Sequence, residues 1–351
     1  MTTILILSAL EEKERQIILN HLTDYKIIKH LVTQTDYYES IRTVNGNSQR
    51  ILLGKTDQTN YNAGIETERA INYFSPNYIF FVGVAGGLKD VKVGDIVIGQ
   101  DVFGYERGKT DLINDGENQV SIFKPRPKFG FSSYSMERMA TSLAVSNEWK
   151  DKAAKIVNKV FHNEIKVYTG TIASGEKVNA DVRSDLHKFL SLNCSHALAI
   201  EMEGLGFLES CRAYPQIQSL LIRGISDLIK AKSDEDEKGS QEYATKNAAE
   251  FLFLFLDKMA LEQNSTSEAK QDRNEILLDV LCKLYPEGIR DNNVFKRAGG
   301  DLAKIKLNST GFSQWFETIE LISNGGSISF DDLFNIMKED FPKNDYIKSL
   351  L

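Results

Sequence analysis

The chain is poor in the residues that mark secreted, membrane-spanning or disulfide-rich proteins. Its 351 residues include only three cysteines and six prolines. No apolar run approaches the roughly 20 residues that span a bilayer. Cys194, Cys211 and Cys282 are an odd number at spacings that fit neither a zinc site nor a disulfide framework, so we expect a reducing, cytoplasmic compartment. The apolar start, Met1 to Ser8, lacks a basic leader and predicts a buried strand instead of a signal peptide.

Positive charge is also in deficit, with 42 Lys and Arg against 49 Asp and Glu and a net charge of -7. A dedicated nucleic-acid binder usually presents a basic face, so no nucleic-acid or membrane partner is expected. The five histidines are scattered singly along the chain, and no metal or other cofactor is predicted.

Residues 1–261 alternate short apolar runs with helical periodicity, which predicts an α/β domain with a central mixed sheet flanked by helices. The expected strands are Ile4–Leu7, Arg50–Leu53, Tyr78–Val82, Asp95–Ile98, Lys166–Ile172, Ala197–Ile200 and Ser219–Ile225. The expected helices begin near Glu11, Ala63, Tyr134, Asp181, Leu205 and Gln241.

The polar stretch 262–274 is predicted to be a linker or a frayed helix end. Residues 275–351 show helical spacing interrupted by glycine and proline, which predicts a small all-α domain of four or five short helices. Its predicted core consists of Leu277, Leu281, Leu302, Trp315, Phe316, Ile319, Leu333 and Ile336.

Four segments place glycines or acids after predicted strands, where α/β sheets tend to bind ligands. They are GVAGGL at 83–88, SGEKVN at 174–179, EMEG at 201–204 and RGISD at 223–227. In this order they resemble the purine nucleoside phosphorylase and methylthioadenosine/adenosylhomocysteine nucleosidase superfamily. The opening ILILSALEE, the run NAGIETERAINYFSP, the following VGDIVIG and the late QEYATKNAAEFL belong to the same resemblance, which covers nearly all of residues 1–260.

The resemblance implies cleavage of a ribosyl–purine bond through an oxocarbenium-like state. Asp227 would protonate the departing base at N7, and Glu203 would accept hydrogen bonds from the ribose hydroxyls while Met202 packs against the sugar. The alternatives are a helix N-cap for Asp227 and a simple strand end for Glu201 and Glu203.

Further substrate contacts follow from the same resemblance. Backbone groups would approach base and sugar at the glycine segment, and the loop after the SGEKVN strand would lie over the purine. The predicted substrate-binding residues are Val84, Ala85, Gly86, Ser174, Lys177, Val178, Met202 and Ser226. The alternatives are a turn after a buried strand for the glycines and a plain loop for Lys177 and Val178.

The water-activating residue departs from the family pattern. Nucleosidases carry a glutamate four residues after the alanine of the N-terminal motif, but the alanine here is Ala9 and that position holds Lys13. A one-residue shift in the turn would bring Glu12 or Glu14 inward. Acids at a helix N-terminus are equally what the helix dipole favours.

Phosphorylases of this superfamily commonly bind phosphate with an arginine just before the glycine segment, where this chain has Phe81 and Val82. This favours hydrolysis over phosphorolysis. The loop-like stretches 105–109 and 123–134 carry Arg107, Lys124 and Arg126, which could meet the phosphate of a nucleotide substrate. A solvated loop or an oligomer contact is the alternative.

The tail resembles the effector-associated, death-like helical domains of bacterial conflict systems through LLDVLCKLYP, RAGGDLAKIKLN, SQWFETIELI and MKEDFPKN. Such domains bind a matching domain in a partner protein; a helical extension that only packs on the enzyme is the alternative. The sequence therefore predicts an oligomeric purine, chiefly adenine, nucleosidase acting in bacterial defence. A phosphorylase, a non-catalytic nucleotide sensor and a salvage enzyme with an incidental tail remain alternatives.

Overall fold

The computed structural model describes residues 1–115, 118–156, 161, 164–177, 184–228, 239–307, 309–326, 328–344 and 347. The chain divides into two compact units, Met1–Leu261 and Glu262–Leu351. Among the described residues, no helix is both long enough and apolar enough to cross a lipid bilayer.

The strands of the first unit are β1 (Thr2–Ser8), β2 (Lys26–Lys29), β3 (Asp36–Val44), β4 (Asn47–Lys55), β5 (Tyr78–Gly87), β6 (Ile96–Gly104), β7 (Gly108–Asp115), β8 (Asn118–Pro125), β9 (Lys128–Phe131), β10 (Val167–Ser174), β11 (Ala199–Glu201) and β12 (Gln218–Leu228). Its helices are a π-helical turn (Glu11–Arg15), α1 (Gln16–Leu19), α2 (Asn60–Phe74), α3 (Tyr134–Val145), α4 (Asn147–Ala154), α5 (Asp185–Asn193), α6 (Gly204–Cys211) and the start of α7 (Ser240–Leu284).

Ten strands form one mixed sheet in the order β11-β10-β6-β12-β5-β1-β4-β3-β2, with β9 paired to β6. Strand β11 also pairs antiparallel with β5, so this half of the sheet closes on itself. The predicted α/β fold with a central mixed sheet is confirmed.

The side chains of the central strands alternate between the two faces of the sheet and contribute to one hydrophobic core on each face. On one face, Phe80 and Ile222 pack with α3 and with Phe251 and Phe255 of α7. On the other face, Phe81 and neighbouring residues pack with α2 and α6. Because both faces of the sheet are covered, the sequences of the central strands consist almost entirely of apolar residues.

The second unit contains the end of α7, a 3-10 turn (Asp291–Asn293), α8 (Val294–Arg297), a second 3-10 turn (Leu302–Lys304), α9 (Gly311–Ser323) and α10 (Phe330–Asp340). Thr310 caps α9, and Ser329 with Asp332 forms a capping box on α10, so local sequence signals define both starts. The predicted all-α tail is confirmed.

Three expectations differ from the structure. The stretch 262–274 is part of the continuous helix α7. It contains no Gly or Pro to break a helix and several good helix formers. The predicted core residue Phe316 is 49% exposed, because it follows the buried Trp315 and so lies on another face of α9. The loop-like stretch after β6 contains the β7–β8 hairpin and β9.

Candidate active site

A cavity opens where β1, β5, β11 and β12 end. It is lined by Ala9, Leu10, Glu14, Gln58, Val84, Ala85, Gly86, Lys177, Ile200, Glu201, Met202, Glu203, Ser226, Asp227 and Gln241. These residues come from seven separate segments of sequence, which the closed half of the sheet brings together. The position agrees with the general rule that ligands of α/β sheets bind beyond the carboxyl ends of the strands.

Glu14 is the acid that the N-terminal segment contributes to this cavity. It is only 2% exposed. Its Oε2 accepts hydrogen bonds from the backbone N–H groups of Ala9 and Leu10, each at 2.8 Å, and its Oε1 accepts one from Val84 at 2.9 Å. Three backbone donors therefore fix the carboxylate between β1 and β5. Burial raises the pKa of Glu14, although Arg223 and these amides oppose the shift.

The π-helical turn explains why Glu14, and not the residue at position 13, occupies this place. The N–H of Arg15 bonds to the carbonyl of Leu10 at 2.9 Å, which spans five residues instead of the four of an α-helix. The wider turn accommodates one extra residue between Ala9 and the inward-facing acid. Glu12, the other candidate, is exposed and does not line the cavity.

Arg223 is a site residue that the sequence interpretation missed. Its side chain is fully buried, and its Nη2 bonds to Glu201 Oε2 at 2.5 Å and to Glu203 Oε2 at 3.2 Å. The guanidinium carbon lies 4.6 Å from the centre of the Phe81 ring. The available signal was the arginine of RGISD, since a cation within a buried strand needs acidic partners.

Gly83 makes the arrangement of these charges possible. A Cβ at this position would clash with both Arg223 Nη1 and Glu14 Oε1. The absent side chain therefore lets a carboxylate and a guanidinium approach the same stretch of β5.

Glu203 lies in a strongly negative environment. Its side chain is 5% exposed, and burial raises its pKa to about 8; Glu201 and Glu14 add to the shift, whereas Arg223 and the backbone N–H of Thr59 oppose it. Its neighbour Glu201 accepts hydrogen bonds from the N–H groups of Glu203 and Gly204 at 3.0 and 2.7 Å. The EMEG turn is thus held by its first acid.

Asp227 reaches the cavity because β12 is irregular at its end. The pairing of β12 with β5 shifts register between Ile225 and Asp227, so Ser226 is the extra residue of a bulge, a feature that re-aims side chains at strand ends. Ser226 Oγ donates to Asp227 Oδ2 at 2.8 Å. A Cβ on Gly86 would lie 3.3 Å from Asp227 Oδ1, so the glycine leaves room beside the carboxylate.

Some predicted substrate-binding residues lie elsewhere. Ser174 is buried at the end of β10, where its Oγ donates to Asn60 Oδ1 at 3.0 Å, and it does not line the cavity. Lys177, by contrast, does line the cavity, and its Nζ lies 3.6 Å from Glu106 Oε1. Val178 falls outside the described residues.

The three predicted phosphate-binding cations are also absent from the cavity lining. Arg107 and Arg126 flank the β7–β8 hairpin, and the N–H of Arg126 donates a hydrogen bond to the carbonyl of Arg107 at 2.8 Å. On the hairpin itself, Lys124 pairs with Asp111 at 2.9 Å.

Known proteins resemble the first unit in sequence and fold. The 5'-methylthioadenosine/S-adenosylhomocysteine nucleosidase of Staphylococcus haemolyticus is 26% identical over 230 residues, which cover 65% of this chain and 88% of that protein. The nucleosidase of the same name from Staphylococcus aureus is 24% identical over 266 residues, covering 75% and 96%.

Solved structures show the same fold. The Helicobacter pylori 5'-methylthioadenosine/S-adenosylhomocysteine nucleosidase matches with a TM-score of 0.57 at 22% identity, covering 73% of this chain and 98% of that one. Futalosine hydrolase of the same organism matches with a TM-score of 0.56 at 21% identity, covering 73% and 98%. The family model of the phosphorylase superfamily matches residues 3–260, and on this match the chain belongs to that superfamily.

Proposed function

We propose that the first unit hydrolyses the N-glycosidic bond of a purine nucleoside or nucleotide with an adenine-like base. The observation that carries this proposal is the convergence of Glu14, Glu203 and Asp227 on one cavity, where the buried Arg223 pairs with Glu203. An acid for the base, an acceptor for the sugar and a carboxylate for water are the three groups that this chemistry requires.

In the proposed reaction Asp227 donates a proton to N7 of the purine, so the C1'–N9 bond breaks and its electron pair leaves with a neutral base. Glu203 accepts hydrogen bonds from the ribose hydroxyls. Glu14 takes a proton from the water that attacks C1', and Arg223 stabilises the adjacent carboxylates. The products are the free base and the free sugar.

Water suits this cavity better than phosphate as the nucleophile. Three carboxylates, those of Glu14, Glu201 and Glu203, surround the single guanidinium of Arg223, which is already paired with two of them. A phosphate dianion would have to bind among these acidic side chains. Phe81 and Val82, where phosphorylases carry an arginine, are fully buried in the sheet.

The same proposal leaves open whether the sugar of the substrate carries a phosphate, as in a nucleotide, or none, as in a nucleoside. The relatives act on 5'-thio-substituted adenosines by name, and we propose an adenine nucleoside or nucleotide for this chain. Arg107, Lys124 and Arg126 do not line the cavity, and we propose that contact with a substrate phosphate, or an interface in a homo-oligomer, is their role.

The test is release of free base, followed by chromatography, from a panel of purine nucleosides, their phosphates and NAD, with and without inorganic phosphate. We expect release without phosphate and its loss in Asp227→Asn. A strict requirement for phosphate would establish a phosphorylase instead. Binding of a panel member without release by any would favour the nucleotide sensor.

We further propose that the second unit is an adaptor that recruits the enzyme to a protein with a matching helical domain, as an effector in bacterial defence. Its own apolar core, built around Trp315, Phe334 and Met337, supports independent folding. Phe312 and Phe316 lie one turn apart on α9 at 59% and 49% exposed. Two exposed aromatic rings on one helix face are suited to a protein contact.

Affinity capture tests the adaptor with the full chain as bait and its Phe312→Ser/Phe316→Ser variant as comparison. The expected result is a partner containing a similar helical domain that the wild type retains and the variant loses. The matched control replaces Lys304, on the same unit, by Ser. Survival of cells challenged with phage should fall with the double variant; unchanged survival would favour a salvage enzyme.

A further inference from the structure

The segment before α2 contains a residue whose backbone is strained. Thr59 has φ 90° and ψ 148°, a region that glycine adopts and that other residues enter only at a cost. A β-branched side chain makes the conformation less favourable still. Thr59 is the N-cap of α2, and its Oγ1 accepts a hydrogen bond from the N–H of Asn62 at 3.4 Å.

The backbone N–H of Thr59 contacts a carboxylate that lines the cavity. The N–H of Thr59 donates to Glu203 Oε1 at 3.3 Å, while Glu203 Oε2 bonds to Arg223 at 3.2 Å. Each oxygen of this carboxylate therefore has its own donor, one from a backbone and one from a side chain. Together the two donors determine the plane of the carboxylate.

The strain and the hydrogen bond depend on the same peptide. Rotating the peptide between Gln58 and Thr59 by half a turn would bring φ of Thr59 to about −90°, an ordinary value. It would also replace the N–H that faces Glu203 by the carbonyl oxygen of Gln58, which repels a carboxylate. The relaxed conformation is thus incompatible with an ionised Glu203 at this distance.

The next residue fixes the segment against the site. Asn60 Oδ1 accepts hydrogen bonds from the N–H of Gly206 at 2.9 Å and from Ser174 Oγ at 3.0 Å. Asn60 Nδ2 donates to the carbonyl of Gly175 at 3.4 Å. These bonds tie the start of α2 to α6 and β10 and so keep the segment beside Glu203, while the peptide between Gln58 and Thr59 is oriented by the bond to Glu203.

We propose that Thr59 is a positioning residue whose strained backbone directs its N–H at Glu203 and so orients this carboxylate for the sugar hydroxyls. The sugar-binding role of Glu203 rests on the proposed function, but the coupling between Thr59 and Glu203 does not. The Thr59 amide also opposes the burial that raises the pKa of Glu203, so it favours the ionised acceptor.

A double-mutant cycle followed by thermal unfolding tests the coupling without any substrate. Thr59→Gly removes the strain and keeps the N–H, whereas Glu203→Ala removes the reason for the strain and lets the peptide relax. The change in Tm caused by Thr59→Gly should be more favourable in the wild type than in Glu203→Ala by roughly 3–6 °C. Equal changes in the two backgrounds would overturn the proposal.

The matched control is Asp57→Gly. Asp57 also has a positive φ, of 63°, but it does not line the cavity and pairs with Lys55 at 2.8 Å. Its effect on Tm should be the same with and without Glu203, because its strain is independent of the carboxylate.

A pH profile separates positioning from general support of the fold. Thr59→Pro removes the N–H, so the pKa of Glu203, which also faces Arg223, Glu201 and Glu14, should rise and move the acid limb of kcat/KM to higher pH. A uniform decrease of kcat/KM at all pH values would overturn the positioning role. If Thr59→Pro does not fold, the double-mutant cycle of Thr59→Gly and Glu203→Ala is the test of the proposal.

Discussion

The two units of the chain bury different kinds of side chain. In the first, four acids and one arginine that approach or line the cavity are each at most 5% exposed: Glu14, Glu201, Glu203, Arg223 and Asp227. In the described part of the second unit, the buried polar side chains are Gln314 and Thr318, and both are hydrogen-bonded to backbone.

This difference agrees with the proposal that the first unit carries out the chemistry and the second unit binds a partner. Burying several ionisable groups costs stability, and such clusters persist where a function uses them. The core of the second unit is apolar and serves folding, so any function of that unit must lie on its surface. Substitutions in the two units should therefore affect different measurements.

The largest expected effect is on activity in the first unit. Glu14→Gln should lower kcat for base release by about 10³-fold or more, because the amide cannot take the proton of the attacking water. The Tm of the first unit should also fall, since the amide nitrogen of Gln would face a backbone N–H that now donates to the carboxylate. Glu12→Gln, an exposed neighbour, is the control and should keep nearly full activity. A reversed pattern would transfer the role to Glu12.

Trp315→Ala should produce the opposite result. The ring is fully buried, and its Nε1 donates to the carbonyl of Tyr285 at 2.9 Å. Its loss should destabilise the second unit by about 3–5 kcal/mol while base release by the first unit persists. Calorimetry with two resolved transitions measures this. Phe316→Ala, beside it on α9 but exposed, should change stability by less than about 0.5 kcal/mol.

Gly83→Ala should affect stability and activity together. The added methyl group displaces Arg223 or Glu14, at an expected cost of about 1–3 kcal/mol to the first unit and a clear loss of kcat. Gly64→Ala in α2 is the control, because its Cβ would meet its nearest neighbour at 3.5 Å. A Gly83→Ala variant that is both active and stable would show that Arg223 and Glu14 do not need the space left by the missing side chain.

The last expected effect is on the pH dependence of stability. The pKa of Glu203 is raised to about 8 in the folded state from an ordinary value of 4.5, so the folded protein binds the proton more tightly than the unfolded chain. Its contribution should make the first unit less stable as pH rises from 4.5 to 8, by at most about 1.4 kcal/mol per pH unit. Glu203→Gln should flatten this slope in urea unfolding series.

The sequence was informative where local pattern and position agree. Apolar runs followed by glycines or acids located strands β5, β11 and β12, and the ends of these strands meet at one cavity. Helical spacing also predicted an all-helical tail, and the structure adds that α9 and α10 begin with capping residues.

Other features depend on three-dimensional context. The choice of Glu14 over Glu12 depends on the hydrogen-bond pattern of one turn, which residue types do not determine. The importance of Arg223 depends on which acids fold against it. The exposure of Phe316 depends on how α9 rotates within its unit, and the continuity of α7 through 262–274 depends on helix propensity in a stretch with no apolar stripe.

The π-helical turn after Ala9 also has a consequence for comparing proteins of this superfamily. If Glu14 activates water as we propose, counting four residues from Ala9 would assign that role to Lys13, and the chain would be classified as inactive. The wide turn, closed by the hydrogen bond from Arg15 N–H to the carbonyl of Leu10, instead brings the carboxylate of Glu14 beside β5. Under this proposal, classifying members by residue type at a fixed distance from the alanine would misplace any relative with the same turn.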